Sequence, residues 1–265
     1  MCRLRRAAVA VGLTVDVEEV VRRISSDPDR AGIFLDLDGT LAPIVARPEL
    51  AQVLSEVPPV LTRLTARVAV VAVVSGRPSE QVRQLVDVEG VGMVGTHGLE
   101  ADPPMTPDVL RAIQEVATSV GAWVEPKGAA AAVHFRNVDD PLAAATAAEP
   151  ALAAVAAANG LELLGGKRIL ELTPAGRARK GGAVERIARE RGLDAVVFAG
   201  DDMGDLDAFE ALRRMRATGV WTCAIASQGA ETASAVVDAA DLVLPGPPGV
   251  VELLTSIADA LEASV

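Results

Sequence analysis

The stretch GIFLDLDGTLAPI, residues 32–44, runs from Gly32 through three large apolar residues into Asp36, Asp38, Gly39 and Thr40. An apolar run this short that stops abruptly in polar residues reads as a strand buried on both faces of a parallel sheet. Asp36 and Asp38 stand two apart, so an extended backbone would turn both carboxylates to one side, and Gly39-Thr40 ends the strand there. The same grammar recurs along the chain. Val68 to Val74 runs into Ser75-Gly76-Arg77, and Ala195 to Ala199 runs into Gly200-Asp201-Asp202. Helical patterns fill the intervals at Leu50–Thr65, Ser79–Val86, Gly181–Arg191 and Leu206–Arg214. Further strands are expected at Val220–Ala226 and Asp241–Leu244, with a closing helix over Val250–Glu262. Strand, helix, strand in alternation predicts an α/β fold, a doubly wound, mostly parallel Rossmann-like sheet.

Residues 101–171 break that rhythm. Pro103, Pro104 and Pro107 mark the entry. A helix over Asp108–Val120 follows, then strands at Ala122–Lys127 and Ala131–Arg136. A helix over Pro141–Asn159, interrupted at Pro150, precedes strands at Leu161–Leu164 and Arg168–Leu172. Two α-β-β units in succession predict a small α+β cap inserted into the sheet domain, which is then formed by residues 1–100 and 172–265.

The 265 residues carry 25 basic and 36 acidic side chains, a net charge of −11. An acidic surface argues against nucleic acid and anionic membranes as partners. Cys2 and Cys223 match no metal spacing, which fits a reducing, cytoplasmic setting. No uninterrupted apolar run reaches the ~20 residues of a membrane span. Arg3, Arg5 and Arg6 before Ala7–Leu13 loosely imitate a signal peptide. Asp16, Glu18 and Glu19 follow at once with no small-residue cleavage site, so a helix running toward Ile24 is the reading. A monomer acting on a small molecule is expected.

In an open parallel sheet, ligands bind beyond the carboxyl ends of the strands. That edge gathers Asp36, Asp38, Ser75, Asp201, Asp202 and Asp205. Carboxylates so crowded repel unless a cation neutralises them, and an all-oxygen set suits Mg²⁺ with substrate phosphate. A calcium loop starting at Asp36 would need Gly and Glu where Leu41 and Arg47 stand. One aspartate can attack phosphorus while the other trades a proton with the leaving group. Ser75, with the backbone of Gly76 and Arg77 before Pro78, offers a phosphate cradle, although a serine there is as readily a helix cap. Lys180 opens a helix and is one of three lysines, beside Lys127 and Lys167, in a chain that otherwise uses arginine; a compact point charge suits a phosphate. The glycine run Gly90-Val-Gly-Met-Val-Gly95 matches a dinucleotide pattern but opens no helix.

Taken together, DLDGTLAPI (36–44), VVSGRP (73–78), Lys180 and GDDMGD (200–205) resemble the haloacid-dehalogenase superfamily of phosphohydrolases. GTHGLE (95–100), EPK (125–127), VHFR (133–136), GKRILEL (166–172) and RKGGAV (179–184) are similar to its trehalose-6-phosphate phosphatase branch. The resemblance implies Asp36 as nucleophile and Asp38 as general acid/base, with Ser75 and Lys180 on the phosphoryl group. It implies Mg²⁺ held by Asp36, the Asp38 carbonyl and Asp201, with Asp202 and Asp205 in support. Glu125, Lys127, Arg136, Lys167 and Glu171 correspond to residues that bind the disaccharide, with His97 near the sugar at most; His134 reads as structural. The sequence departs from the branch at Arg179, Gly204, Leu206 and Thr96. The implied activity is hydrolysis of trehalose 6-phosphate, the last step of trehalose biosynthesis. The same chemistry on another sugar phosphate or a glycosyl-phosphoglycerate is the alternative, and a phosphomutase is a third option.

Overall fold

The computed structural model describes residues 15–45, 47–96, 103–166, 168–175 and 179–263. In chain order the first half of the sheet domain holds α1 (Val17–Ser26), β1 (Ala31–Leu35), α2 (Val57–Thr65), β2 (Val70–Val74), α3 (Ser79–Val86) and β3 (Gly92–Val94). The insertion holds α4 (Pro107–Ser119), β4 (Trp123–Lys127), β5 (Ala130–His134), α5 (Pro141–Ala158), β6 (Leu161–Gly166) and β7 (Ile169–Pro174). The chain returns with α6 (Lys180–Arg191), β8 (Ala195–Gly200), α7 (Leu206–Ala217), β9 (Trp221–Ser227), α8 (Ser234–Ala239), β10 (Leu242–Leu244) and α9 (Gly246–Ala263). One sheet has six parallel strands in the order β10-β9-β8-β1-β2-β3; the other has four antiparallel strands in the order β4-β5-β7-β6.

The six-stranded sheet is buried on both sides because successive residues of each strand feed different cores. Ile33, Leu35, Val71, Val73, Val197 and Ile225 pack with α1, α2, α3 and α9. Phe34, Ala72, Val74, Val196, Phe198 and Ala224 pack with α6, α7 and α8. Phe198 meets Phe209 edge to face at 6.2 Å between ring centroids, so truncating either ring would cost about 3–5 kcal/mol. In the four-stranded sheet Val133, Leu170 and Leu172 turn to α4 and α5, and the opposite face carries Glu125, Lys127, His134 and Glu171.

Three elements differ from expectation. The helix expected over Leu50–Thr65 forms only from Val57, after a 3₁₀ turn at Pro48–Leu50. Pro58 and Pro59 fit only the first turn of a helix, where no backbone N–H is needed, and Leu54 N donates instead to Leu41 O at 3.0 Å. Pro150 does not interrupt α5. It and Thr146, whose carbonyl its ring deprives of a donor, both face solvent, while Ala148, Leu152 and Ala156 hold the helix to the sheet. By length and composition α5 is apolar enough to cross a membrane, the one such helix among the described residues. The glycine run contains β3, paired in parallel with β2. Of the expected N-terminal helix, α1 is described; Ala7–Leu13 and Cys2 lie outside the described residues.

Candidate active site

The exits of β1, β2 and β8 lie at one edge of the six-stranded sheet. Asp36 N donates to Ala199 O at 2.8 Å, which carries the β1–β8 pairing one step past the strand and fixes where the Asp36 carboxylate emerges. Gly39 then turns with φ of 86°. A side chain there would be strained, and its Cβ would run into the Asp201 carboxylate. Ser227, at the end of β9, donates its hydroxyl to Gly39 O at 2.6 Å. Thr40 is fully buried, and its hydroxyl has no hydrogen-bond partner among the described residues.

Lys180 is buried at the first position of α6. Its Nζ donates to Asp36 Oδ1 and to Asp205 Oδ1, both at 2.7 Å. Gly181 N donates to Asp207 Oδ2 at 2.8 Å, and a Cβ on Gly181 would collide with the Asp207 carbonyl. The glycine therefore lets α6 seat against α7 closely enough for the lysine to reach the sheet edge. Asp205 also accepts from Asp201 N at 2.9 Å and Asp202 N at 3.0 Å. Its two oxygens are thus committed to protein donors, and its part is to shape the loop and hold Lys180. Asp202 is exposed and caps the short turn after it, accepting from Gly204 N at 2.8 Å.

Charge is unbalanced in this cluster. Oxygens of Asp36, Asp201 and Asp205, all buried, lie within 4.8 Å of one another, and Lys180 is the cation bonded to two of them. Burial, with Asp205 and Asp202 adding to it, pushes the Asp36 carboxyl well above the usual carboxylate range despite Lys180. Burial likewise raises Asp205. Burial would lower Lys180, but Asp205 and Asp36 outweigh it and hold the ammonium above its ordinary value. An all-oxygen set with excess negative charge and a glycine-opened approach to Asp201 fits a hard divalent cation.

Asp38 stands apart from that cluster. Arg77 grips it with two bonds, Nε to Oδ2 at 2.6 Å and Nη2 to Oδ1 at 2.7 Å. Arg77 also donates to Pro48 O at 3.1 Å, and the hydrogen bonds to Asp38 raise the guanidinium above its ordinary range. Ser75 is buried, and its Oγ accepts from Arg77 N at 3.2 Å; Gly76 lies between them, half-buried. Thr96, one of the departures, takes a left-handed φ of 48° and donates its N–H to Arg77 O at 2.9 Å.

The polar face of the four-stranded sheet gathers a second group. The register pairs Trp123 with His134, and places Glu125 and Glu171 on either side of Ala132. His134 Nε2 meets Glu125 Oε2 at 2.9 Å. Lys127 Nζ lies 3.5 Å from Glu171 Oε1 and 3.9 Å from Glu125 Oε2. The bond to His134, aided by Lys127 and by Arg77 of the loop after β2, holds the Glu125 carboxyl below the usual carboxylate range despite partial burial. Arg136 is exposed in the turn after β5. Arg179 pairs with Glu162 at 2.7 Å. His97 and Lys167 lie outside the described residues. Sequence reading did not single out Trp123, Ser227 or Asp207. The alternation Trp123-Glu125-Lys127 was the available signal for the first, and the exit of a neighbouring strand for the second.

A parallel sheet with paired aspartates at its central exit, a lysine from a following helix and an inserted α+β unit is the architecture of the haloacid-dehalogenase fold. A solved haloacid dehalogenase-like hydrolase from Bacteroides thetaiotaomicron matches with a TM-score of 0.58 over 86% of this chain. The chain belongs to the trehalose-phosphatase family, whose sequence model matches residues 34–241. A trehalose-phosphate phosphatase of Mycobacterium avium is 30% identical over 208 residues, covering 71% of this chain and 52% of the relative. A bifunctional trehalose-6-phosphate synthase/phosphatase of Thermoproteus tenax is 34% identical over 136 residues, covering 45% of this chain and 18% of that protein. The chain thus spans about half the length of such curated relatives, or less. The solved C-terminal domain of Candida albicans trehalose-6-phosphate phosphatase superposes with a TM-score of 0.78 at 21% identity, covering 95% of this chain and 99% of that one.

Proposed function

We propose that this protein is a Mg²⁺-dependent phosphatase that hydrolyses trehalose 6-phosphate to trehalose and phosphate. The observation that carries the reading is the buried Asp36–Lys180–Asp205 network, with Asp38 two residues on, in a chain that belongs to the trehalose-phosphatase family. An Asp36 oxygen forms a bond to phosphorus as the bond from phosphorus to the sugar oxygen breaks. Asp38 gives that departing oxygen a proton, then takes one from the water that releases phosphate and restores Asp36. Lys180 orients the Asp36 carboxylate and, with Ser75, holds the phosphoryl oxygens. Arg77 keeps Asp38 in one orientation until substrate arrives. Asp36, the Asp38 carbonyl and Asp201 would hold Mg²⁺, with Asp202 and Asp205 behind them. When bound, the ion offsets the repulsion between an anionic nucleophile and an anionic phosphate.

Glu125, Lys127 and Glu171 would read the sugar hydroxyls. Carboxylates accept from them and the ammonium donates, so a ligand lacking those hydroxyls leaves buried polar groups unpaired. The test is phosphate release from trehalose 6-phosphate and glucose 6-phosphate, with Mg²⁺ or with a chelator. Mg²⁺-dependent release strongly favouring the disaccharide supports the whole reading. Preference for glucose 6-phosphate keeps the phosphatase and overturns the substrate, and an isomeric sugar phosphate without free phosphate would make the protein a mutase.

A further inference from the structure

Trp123 is the largest apolar side chain on the face that carries Glu125, Lys127, His134 and Glu171, and 46% of it is exposed. One side of its ring is already occupied: the His134 ring lies 4.0 Å away between centroids, with the planes 5° apart. His134 is itself fixed from the edge by Glu125. The indole is therefore a flat surface backed by a second flat ring, tied through one hydrogen bond to a carboxylate already assigned to sugar hydroxyls. Trp123, Glu125 and Lys127 alternate along β4, so all three share that face. Across the strands only Ala132 stands between Glu125 and Glu171, and Ala130 stands opposite Lys127, which leaves a shallow trough floored by alanine beside the stacked pair.

The chemistry of such a trough is specific. A pyranose ring presents hydroxyls at its rim and C–H bonds on its faces. The rim suits carboxylates and an ammonium; the C–H face, slightly positive, suits the negative face of an aromatic ring. We propose that Trp123, backed by His134, is the stacking platform for a sugar ring, and that it selects substrates with a second ring beyond the phosphorylated one. This rests on the phosphatase reading above. Trp123 lies at the end of β4 away from the Gly128 turn, where the incoming chain is tied by Met105 N to Gly128 O at 2.8 Å. The platform therefore sits at the far rim of the cap face, where the distal part of an elongated ligand would lie.

The chain has two tryptophans, Trp123 and Trp221, which makes the ligand visible directly. In a Trp221→Phe variant all indole emission comes from Trp123. Titration with trehalose is expected to change that emission saturably, with glucose requiring a far higher concentration. In the otherwise native enzyme, Trp123→Ala is expected to raise KM for trehalose 6-phosphate about tenfold with kcat within about twofold, and to leave kcat/KM for glucose 6-phosphate unchanged; Trp123→Phe should restore most of the loss. Wild-type turnover of trehalose 6-phosphate with an unaltered KM in Trp123→Ala overturns the platform alone. No turnover of that substrate by the wild type overturns the substrate reading and the platform with it.

Discussion

The two groups of charged residues on this chain are held in different ways. At the exits of β1 and β8, Asp36, Asp205 and Lys180 are buried within a few per cent of full exclusion, and Lys180 is bonded to both carboxylates at 2.7 Å. On the face of β4, β5 and β7, Lys127 stands 3.5 Å and 3.9 Å from its two carboxylates and Trp123 is open to solvent. The first arrangement is finished before any ligand arrives, as charge-stabilising chemistry requires, because groups that must reorient during reaction lose most of their effect. The second holds Lys127 in long, weak pairs that a hydroxyl can displace, beside a Glu125 fixed by His134 at 2.9 Å. On the proposed function, one region would serve the reaction and the other the exchange of ligand.

The sharpest way to break that contrast is at the nucleophile. Asp36→Asn keeps size and shape and removes the attacking charge. Turnover of trehalose 6-phosphate is expected to fall about 10⁴-fold or more, with the protein still folded, since Asp205 retains Lys180. Phosphate release in single-turnover and steady-state assays measures it; activity within tenfold of wild type would remove Asp36 from the covalent role.

Lys180→Met tests whether the buried network is a finished electrostatic unit. Removing the cation leaves carboxylates buried without their partner, which costs about 3–5 kcal/mol. For a chain of this size that lowers Tm by roughly 6–20 °C. Thermal melting in chelator reads the full loss, and Mg²⁺ is expected to recover part of it. A variant that melts with the wild type would show that the carboxylates share no dependence on this lysine.

Much of this first region was legible in the sequence. An apolar strand that ends in Asp-x-Asp-Gly-Thr announces both the strand and the chemistry at its exit, because buried parallel strands and their polar termini are local patterns. The pairing of Arg77 with Asp38 was not legible: the two are 39 residues apart, and only the parallel register of β1 and β2 brings them together. The cap face was readable residue by residue but not as a surface. Its arrangement depends on the two-residue Gly128-Ala129 turn, which sets Trp123 opposite His134; a slip of one residue would have put both in the apolar core. The expected second strand, Ala131–Arg136, starts one residue and ends two residues beyond the observed Ala130–His134, and spacing alone does not set the cross-strand register that stacks the pair. The helix before β2 was overextended because Leu50–Glu56 has an apolar pattern, and the two prolines after it decide the boundary.

Smaller effects belong to the exchanging face. Lys127→Ala removes a donor that two carboxylates share. The expected change is a rise in KM for trehalose 6-phosphate of about tenfold to a hundredfold, the range for losing a hydrogen bond to a charged group. The rate with glucose 6-phosphate should stay within about twofold. Loss of rate on both substrates alike would mean that the cap acts on the reacting phosphate and not on the sugar, and the division between the two regions would be misplaced.

The pH dependence of selectivity separates the regions most finely, because the shift at Glu125 has the opposite sign to those at Asp36 and Asp205. Burial raises the core carboxyls where no cation is bound. The bond to His134, then Lys127, holds Glu125 below the usual range. A carboxyl depressed in the folded state makes its contribution above the unfolded value, about 4.3, and loses it only as pH falls through the depressed value. Selectivity, taken as the ratio of kcat/KM for trehalose 6-phosphate to that for glucose 6-phosphate, is therefore expected to stay flat from about pH 5 to 8 as far as Glu125 governs it, even where absolute rates change. Glu125→Gln should lower the ratio at every pH without adding a slope. Initial rates with both substrates across that range measure it. A ratio that slides between pH 5 and 7 in the wild type, or one that Glu125→Gln leaves unchanged, would remove Glu125 from the reading of the sugar.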